Sequence, residues 1–270
     1  MIHGLLNKVH HALARSRFAS KVCLRLRNQA NCVVGYHIGG HTHQSDQNGE
    51  NSLIERVGPY CNSFVDVGAN IGDWSVYFIG VSPATGVLFE PGKACFDILK
   101  QKIVSERLEL RCFAVGDVVG EAEFVEDLEM NEHSSVASTY VGSNNQKRYS
   151  VPLTTLDKEF LDCGKCIDFL KIDTEGYDFN VLKGAEGLLN AGLIKFVQFE
   201  YNFNWIGAGA TLLRTSRFLK SMGYETFLLR ETGLCSVDFS IWGEFYAYAN
   251  FVAIRKDCLD VVMDITDVGL

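Results

Sequence analysis

The stretch Phe64-Val65-Asp66-Val67-Gly68-Ala69-Asn70-Ile71-Gly72 decides the fold. Its first four residues have the apolar character of a buried strand, a turn with two glycines follows, and a helix begins directly afterwards. Glycine tolerates positive φ and lets the backbone approach a ligand closely, while a helix N-terminus offers free N–H donors. The stretch therefore predicts a strand, a tight turn and a helix that together hold an anionic group.

A carboxylate at the end of the next predicted strand narrows the choice of ligand. Glu90 follows the strand Gly86–Phe89 and stands 18 residues after Gly72, where a carboxylate can accept hydrogen bonds from both hydroxyls of a ribose. The glycines at 68 and 72 do not form the G-x-G-x-x-G pattern of dinucleotide enzymes. With Asp66 available for an ammonium group, the spacing favours S-adenosylmethionine, and a dehydrogenase on a related sheet is the weaker alternative.

From Ser63 onward, short apolar runs alternate with helical stretches. This alternation is typical of a doubly wound α/β domain with a mostly parallel sheet. The pattern predicts, among other elements, one continuous strand over Leu108–Val115 and one helix over Tyr177–Leu189. The length favours a single large domain, which we expect over residues 51–270, preceded by a basic helical extension and linker over residues 1–50.

Charge is distributed unevenly along the chain. Six of the 25 Lys and Arg residues and none of the 33 Asp and Glu residues lie within residues 1–45, so residues 46–270 carry 19 basic and 33 acidic residues, a net charge of −14. An acidic body argues against nucleic acid as a substrate. The basic start could lie on an anionic membrane surface, target the chain to an organelle, or pack on the body, and packing is the favoured interpretation.

Compartment is indicated by the cysteines and by the apolar runs. The nine cysteines are odd in number and lack the spacing of a disulfide framework, which indicates reduced thiols. No apolar run has the length of a spanning helix, and no secretory leader pattern opens the chain. We therefore expect a cytoplasmic protein.

Further motifs make the sequence similar to a known family. They are Phe89-Glu90-Pro91, Ala114-Val115-Gly116-Asp117, Leu170-Lys171-Ile172-Asp173-Thr174-Glu175-Gly176 and Val181-Leu182-Lys183-Gly184-Ala185. Together with the first stretch they resemble the FkbM family of methyltransferases over about residues 50–255. The resemblance implies the class I methyltransferase (Rossmann-like) sheet of seven strands with an antiparallel last strand. It also implies S-adenosyl-L-methionine as cofactor and a hydroxyl acceptor on a sugar, a polyketide or another small natural product.

The resemblance further implies which residues hold the cofactor. Its methionine end is expected at the first turn, at Asp66, Gly68, Ala69, Asn70 and Gly72. Its ribose is expected at Glu90, and its adenine near Gly116 and Asp117, after the third strand.

Strand ends after residue 170 carry the groups expected to perform the reaction. Ligands of open parallel sheets bind outside the carboxyl ends of the strands, and a hydroxyl acceptor must lose its proton to a positioned base. Asp173 is the first candidate for the base or acceptor clamp, Glu175 the second and Lys171 the third. Capping of the following helix is the alternative for Glu175. Lys171 lies in an apolar strand and must be paired or reach the cleft, with Asp173 or Glu200 as partner.

Polar and aromatic residues at the same rim are expected to bind the acceptor. They are His133, Ser135, Glu200, Asn202, Trp205 and Trp242. His133 is also a rival general base. Asp173, Glu200 and Asn202 could form an oxygen-only Mg²⁺ site, although the resemblance does not require a divalent metal and we do not expect one.

These observations predict an O-methyltransferase that acts on a hydroxyl of a carbohydrate or glycosylated metabolite. An N- or C-methyltransferase of a small metabolite is the second interpretation. A cofactor-binding scaffold without catalysis is the third, and the acids and the lysine of the predicted site argue against it.

Overall fold

The computed structural model describes residues 2–40, 42–127, 134–136 and 145–267. The α-helices in chain order are α1 Ile2–Arg15, α2 Arg17–His37, α3 Glu50–Val57, α4 Asp73–Val81, α5 Lys93–Lys102, α6 Leu156–Phe160, α7 Asp178–Lys183, α8 Glu186–Asn190, α9 Leu212–Ser221 and α10 Phe239–Trp242. The strands are β1 Ser63–Val67, β2 Thr85–Phe89, β3 Leu108–Arg111, β4 Ala114–Val115, β5 Gly120–Asp127, β6 Gln146–Thr154, β7 Ile167–Ile172, β8 Ile194–Tyr201, β9 Tyr224–Arg230, β10 Gly233–Ser236, β11 Ala249–Arg255 and β12 Thr266–Asp267. Short 3₁₀ turns lie at Gly58–Tyr60, Phe203–Ile206, Lys256–Val261 and Met263–Ile265.

Nine strands of the described residues form the main sheet, in the order β12-β10-β9-β11-β8-β7-β1-β2-β3. The neighbours from β3 to β8 pair in parallel. Strand β11 runs antiparallel between β8 and β9, and β10 and β12 extend the sheet beyond β9. The predicted doubly wound class I fold with an antiparallel last core strand is thereby confirmed, with two additional edge strands.

The central strands are buried on both faces. All six residues of β7 are buried, as expected for a parallel strand covered by helices on either side. Phe64, Phe169 and Phe196 are paired across β1, β7 and β8 and pack in one of the two main hydrophobic clusters. Their successors in sequence, Val65, Leu170 and Val197, pack in the other cluster, because successive strand residues face opposite sides.

Two predicted elements are interrupted in the structure. The predicted strand Leu108–Val115 is divided into β3 of the main sheet and β4 of a small sheet ordered β4-β6-β5. The predicted helix Tyr177–Leu189 breaks between α7 and α8 at Gly184, where an added Cβ would lie 1.8 Å from the carbonyl oxygen of Gly116. Both predictions were wrong at the break because the apolar pattern continues through it, while tertiary contacts decide the backbone.

The basic start of the chain forms the two helices α1 and α2. No residue of α2 is buried, so the favoured interpretation that this segment packs on the body was wrong. Burial begins at Ile38, which is 1% exposed. Within the described part of the chain, no helix combines the length and the apolar character that crossing a membrane requires.

Candidate active site

A cleft of about 690 Å³, counted to its open mouth, lies at the carboxyl ends of β1, β2 and β7. This is the crevice in which open α/β sheets bind ligands. Its walls come from the turn after β1, from Glu90–Gly92, from the segment Phe113–Val115 and from the loop Asp173–Tyr177.

The turn after β1 is built by close backbone approach. Gly68 has a φ of 85°, and an added Cβ there would lie 1.8 Å from the carbonyl oxygen of Asp173. The N–H groups of Gly68 and Ala69 both donate to the carbonyl oxygen of Phe89, and the N–H of Asn70 donates to Glu90. The amides of Gly68 to Asn70 therefore tie β1 to β2, and the predicted binding of the cofactor's methionine end at this turn stays a prediction.

Other predicted turn residues serve the structure of the turn. Gly72 has a φ of 84° and precedes the first residue of α4, and an added Cβ there would lie 2.6 Å from Leu99 Cδ1. The side chain of Ala69 is buried in the hydrophobic core. Asn70 lines the cleft and has a positive φ of 49°. Gly68 and Asn70 are therefore the two predicted turn residues that face the cleft.

Glu90 presents an oriented carboxylate to the cleft. Its Oε2 accepts the N–H of Asn70 at 2.8 Å and its Oε1 accepts the N–H of Gly92 at 2.6 Å. Burial raises the pKa of the Glu90 carboxyl to about 7, against the lowering effect of these two hydrogen bonds. Each oxygen retains a lone pair for a ligand, so the geometry is compatible with the predicted role in ribose binding, which stays a prediction.

Asp66 lies beneath the cleft and is fully buried. Its Oδ2 accepts the hydroxyl of Ser75 at 2.6 Å, and its Oδ1 lies 3.8 Å from Lys171 Nζ. Oδ1 has no hydrogen-bond partner among the described residues, and the nearest cation to it is Lys171. The predicted contact of Asp66 with the ammonium group of the cofactor stays a prediction.

Lys171 joins Asp66 to the cleft. Its Nζ donates to Asp173 Oδ2 at 2.9 Å and lies 5.6 Å from the centre of the Trp74 ring. Burial disfavours the ammonium form, but the carboxylates of Asp173 and Asp66 outweigh it and raise the pKa of Lys171 above its usual value. Lys171 therefore stays protonated and orients Asp173, which lines the cleft.

Three acids predicted for the reaction or for acceptor binding meet beside the cleft. Asp173, Glu175 and Glu200 each bring a carboxylate oxygen within 4.8 Å of the others, a set that could hold a divalent cation. Burial, with the nearby charge of Asp173, raises the pKa of Glu200 well above its usual value. We call these three residues the acidic cluster.

Asn202 links two members of the acidic cluster through its amide nitrogen. Its Nδ2 donates to Glu200 Oε1 at 2.6 Å and to Glu175 Oε2 at 3.1 Å, while its Oδ1 accepts the N–H of Asn204 at 2.9 Å. The alternative of an oxygen-only Mg²⁺ site thereby loses Asn202 as a ligand, because the oxygen of Asn202 caps the following 3₁₀ turn. Within the acidic cluster, the carboxylates could still serve as ligands.

Glu175 does not cap the helix that follows it. Helix α7 begins at Asp178, and it is Asp178 that accepts the N–H of Gly176 and the hydroxyl of Thr174. Burial, with the charge of Asp173, raises the pKa of Asp178 to about 8. The capping alternative for Glu175 was wrong: α7 has no side-chain cap, and the acid in its first turn is Asp178, a buried residue that sequence reasoning missed.

The residues predicted to bind the acceptor separate in the structure. Ser135 lines the cleft, and its hydroxyl donates to the carbonyl oxygens of Thr174 and Glu175 at 3.0 Å. Trp205 is completely buried, with its Nε1 donating to the carbonyl oxygen of Glu200, so its predicted position at the rim was wrong. Trp242 stacks on His37 with ring centroids 5.4 Å apart and, among described residues, is not part of the cleft wall.

His133 lies outside the described residues. Gly116 and Asp117, predicted near adenine, are not among the described residues of the cleft wall, although Val115 directly before them is. Their role in adenine binding stays a prediction. Asp117 forms an ion pair with Lys183, and Gly116 donates its N–H to Thr154.

The cleft wall that sequence reasoning missed is apolar. Phe113, Ala114 and Val115 line it together with Phe124 and Cys95, and Phe113 is 40% exposed. Phe113 lies in the break between β3 and β4. The prediction of one continuous strand placed Phe113 inside that strand, so its exposure was not foreseen. A predicted strand that ended at Arg111 would have placed Phe113 in an exposed connection.

The sheet order and the cleft at its carboxyl edge are those of the class I methyltransferase fold. The chain belongs to the FkbM methyltransferase family, because the Methyltransferase FkbM domain matches residues 66–226. This confirms the family resemblance, and the family implies S-adenosylmethionine as cofactor. No curated protein gives a significant match to the sequence.

Solved structures of methyltransferases are similar to this chain at low identity. A methyltransferase FkbM from Methylobacillus flagellatus KT has 15% identity and a TM-score of 0.46, over 71% of this chain and 43% of that one. A TehB-like S-adenosylmethionine-dependent methyltransferase from Corynebacterium glutamicum has 14% identity and a TM-score of 0.41, over 88% and 97%. An rRNA methylase from Streptococcus thermophilus has 11% identity and a TM-score of 0.43, over 76% and 93%. The chain thus spans less than half of the Methylobacillus protein.

Proposed function

We propose that this chain is an O-methyltransferase that uses S-adenosylmethionine to methylate a hydroxyl of a carbohydrate or another small natural product. The observation that carries the proposal is the 2.9 Å contact between Lys171 Nζ and Asp173 Oδ2, which orients a carboxylate toward the cleft. The acidic body supports a small-molecule acceptor over a nucleic acid. Free thiols at all nine cysteines support a cytoplasmic location.

The residues of the cleft fit the cofactor that the family implies. When bound, S-adenosylmethionine supplies a methyl group on a positively charged sulfur. Glu90 would accept the ribose hydroxyls, and the apolar wall at Phe113 and Phe124 would enclose the adenine. Glu175 of the acidic cluster would favour the cofactor's positive charge.

A hydroxyl acceptor needs a base close to its proton. As the acceptor oxygen forms its bond to the methyl carbon and the methyl–sulfur bond breaks, the hydroxyl proton must pass to a group within hydrogen-bond reach. We assign Asp173 to this step, since it lines the cleft and Lys171 holds its other side. Lys171 is then a positioning residue, and Glu175 is the neighbouring acid that contacts the acceptor.

An amine acceptor is the second candidate, and the acidic cluster is the observation that favours it. The carboxylates of Asp173, Glu175 and Glu200 would pair with an ammonium group, and loss of its proton to one of them would prepare the nitrogen for methylation. The same base residue serves both reactions, so only the product separates them.

The proposal is tested with S-adenosylmethionine labelled with ¹³C in its methyl group and a fractionated metabolite extract. The ¹³C chemical shift of the product distinguishes a methyl on oxygen from one on nitrogen or carbon. We expect an O-methyl product from the unmodified chain. Turnover should fall by about a hundredfold or more in Asp173→Asn, with nearly unchanged affinity for the cofactor.

The exposed acid Asp162 provides the control, and Asp162→Asn should retain full turnover. A methyl on nitrogen would replace the proposal by the second candidate, and normal activity of Asp173→Asn would remove Asp173 from the reaction. Loss of turnover on adding a chelator would assign a divalent metal to the acidic cluster, whereas unchanged turnover would assign the cluster to proton transfer and charge. Binding of the cofactor without any transfer would indicate a scaffold.

A further inference from the structure

Residues 6–37 of α1 and α2 form an exposed helical segment, which we call the N-terminal arm. None of its residues is buried, although several are large and apolar. Phe18 is 79% exposed, Leu26 65% and Val33 70%. Such side chains contribute little to the stability of the body when they are left in water, so the arm needs another explanation.

The apolar side chains of the arm form a stripe along each helix. In α2, Phe18, Val22, Leu26 and Val33 follow one another at intervals of four, four and seven residues, which brings them to one side of an α-helix. In α1, Leu6, Val9 and Leu13 follow at intervals of three and four and are each about half exposed. Both helices are therefore amphipathic, with their apolar sides uncovered in the described structure.

The polar sides of the arm carry only positive charge. Its six Lys and Arg residues are Lys8, Arg15, Arg17, Lys21, Arg25 and Arg27, and residues 1–45 contain no Asp or Glu. At 3.6 residues per turn, Lys21 and Arg25 lie along one flank of the α2 stripe and Arg27 lies on the opposite side of the helix. An apolar stripe with basic residues beside and opposite it is the pattern of helices that lie in the interface of an anionic membrane.

The arm is fixed to the body at one end. His37 stacks on Trp242, its Nε2 lies 3.2 Å from Arg230 Nη1, and Ile38 is buried. Arg230 ends β9 at the carboxyl edge of the parallel strands, the edge that also carries the cleft. If the arm binds a surface, the carboxyl edge of the sheet is therefore the part of the domain that lies nearest to the arm's attachment.

We propose that the N-terminal arm docks the protein on an anionic phospholipid surface. Lipid explains both features of the arm, since the stripe enters the acyl boundary while the basic residues meet the headgroups. A nucleic acid would use the charge and leave Phe18, Leu26 and Val33 in water. Docking of two arms on each other would bring like charges together. The net charge of −14 on residues 46–270 would keep the remaining body off the same surface.

Co-sedimentation of the full chain with vesicles tests the docking. We expect binding to vesicles of phosphatidylcholine mixed with phosphatidylserine, and roughly tenfold or weaker binding to phosphatidylcholine alone. Raising the salt from about 0.1 M to about 0.5 M should weaken the binding to the mixed vesicles, because it screens exposed charges. A chain that stays in the supernatant with mixed vesicles at low salt would overturn the proposal.

Two double variants separate charge from apolar insertion. Arg25→Glu with Arg27→Glu, and Phe18→Ser with Leu26→Ser, should each reduce vesicle binding by roughly tenfold or more. Their matched controls are Lys220→Glu and Val104→Ser, which alter an exposed charge and a 91% exposed apolar residue elsewhere, and these should bind as the unmodified chain does. Because the arm is exposed, far-ultraviolet circular dichroism and cofactor affinity should stay unchanged in all variants.

Other results would assign the arm to a different partner. If Phe18→Ser with Leu26→Ser converts a dimer to a monomer in sedimentation velocity without changing vesicle binding, the stripe is covered by a second copy of the chain. A second result concerns a short RNA. If the Phe18→Ser, Leu26→Ser variant binds both the RNA and the vesicles as well as the unmodified chain does, the positive charge alone accounts for binding by the arm. Either result would overturn insertion of the apolar stripe into lipid, on which the proposal depends, and leave the proposed methyl transfer untouched.

Discussion

The carboxylate of Glu90 accepts the backbone N–H of Asn70 at 2.8 Å. The acid that follows the second strand is therefore tied to the turn that follows the first, and its free lone pairs face the cleft between them. Binding of a ribose at this place depends on a carboxylate held in one orientation.

Glu90→Gln should weaken S-adenosylmethionine binding by about ten- to a hundredfold, because hydrogen bonds to a charged group contribute about 1.5–3 kcal/mol. Isothermal titration calorimetry measures the effect. The exposed Glu186 provides a control, and Glu186→Gln should bind normally. Equal affinities for Glu90→Gln and the unmodified chain would remove Glu90 from the cofactor site.

Binding of adenosine should strengthen as the pH rises from about 6 to about 8. Burial raises the pKa of Glu90 to about 7, so the carboxyl is mostly neutral at the lower pH and mostly ionised at the higher one, which predicts an affinity gain of about tenfold. Adenosine is the suitable probe because it lacks the cofactor's titratable amino group. Glu90→Gln should abolish the pH dependence, and a flat profile for the unmodified chain would contradict the assignment.

Lys171→Met should lower the free energy of unfolding by about 3–5 kcal/mol, because it leaves Asp66 buried without its countercharge. Adding Asp66→Asn should recover part of the loss, and the loss should shrink at acid pH, where Asp66 can take up a proton. Urea unfolding measures each variant. The control is Arg148→Met, which breaks the exposed pair with Glu123 and should lower the free energy of unfolding by only about 0–1 kcal/mol. Equal losses in Lys171→Met and Arg148→Met would count against a buried charge network.

Trp205→Ala should lower the free energy of unfolding by about 3–5 kcal/mol, the usual cost of removing a buried aromatic side chain. Trp242→Ala should cost clearly less, since Trp242 is only partly buried and stacks on His37. Thermal and urea unfolding compare the two. If Trp242→Ala raises the KM for the acceptor while leaving the free energy of unfolding nearly unchanged, Trp242 belongs to the substrate site as predicted from the sequence.

The sequence was sufficient for the parts of the site that depend on local order along the chain. A strand end is recognisable where an apolar run stops, and ends of parallel strands meet at one edge. For that reason Glu90, Asp173 and Glu175 could be placed at the same cleft from spacing alone. The apolar environment of Lys171 likewise indicated that it must have a partner, and Asp173 is that partner.

Side-chain direction after a strand end was not predictable in the same way. The 3₁₀ turn Phe203–Ile206 brings Trp205 back beneath β8, and no periodic pattern marks so short a turn. Asn202 caps that turn with the oxygen that sequence reasoning assigned to a metal. Lys171 was not predicted as a neighbour of Asp66, because it lies on another strand, over one hundred residues along the chain.

The contact of Gly184 with Gly116 couples two motifs that are far apart in sequence. There is no room for a Cβ at Gly184, and the neighbouring residues Asp117 and Lys183 form an ion pair across the same junction. The two motifs thus behave as one clasp that fixes the end of β4 against the end of α7. Among related sequences, substitutions at these four positions should occur as matched pairs, so the clasp offers a covariation signature for recognising how this wall of the cleft is closed.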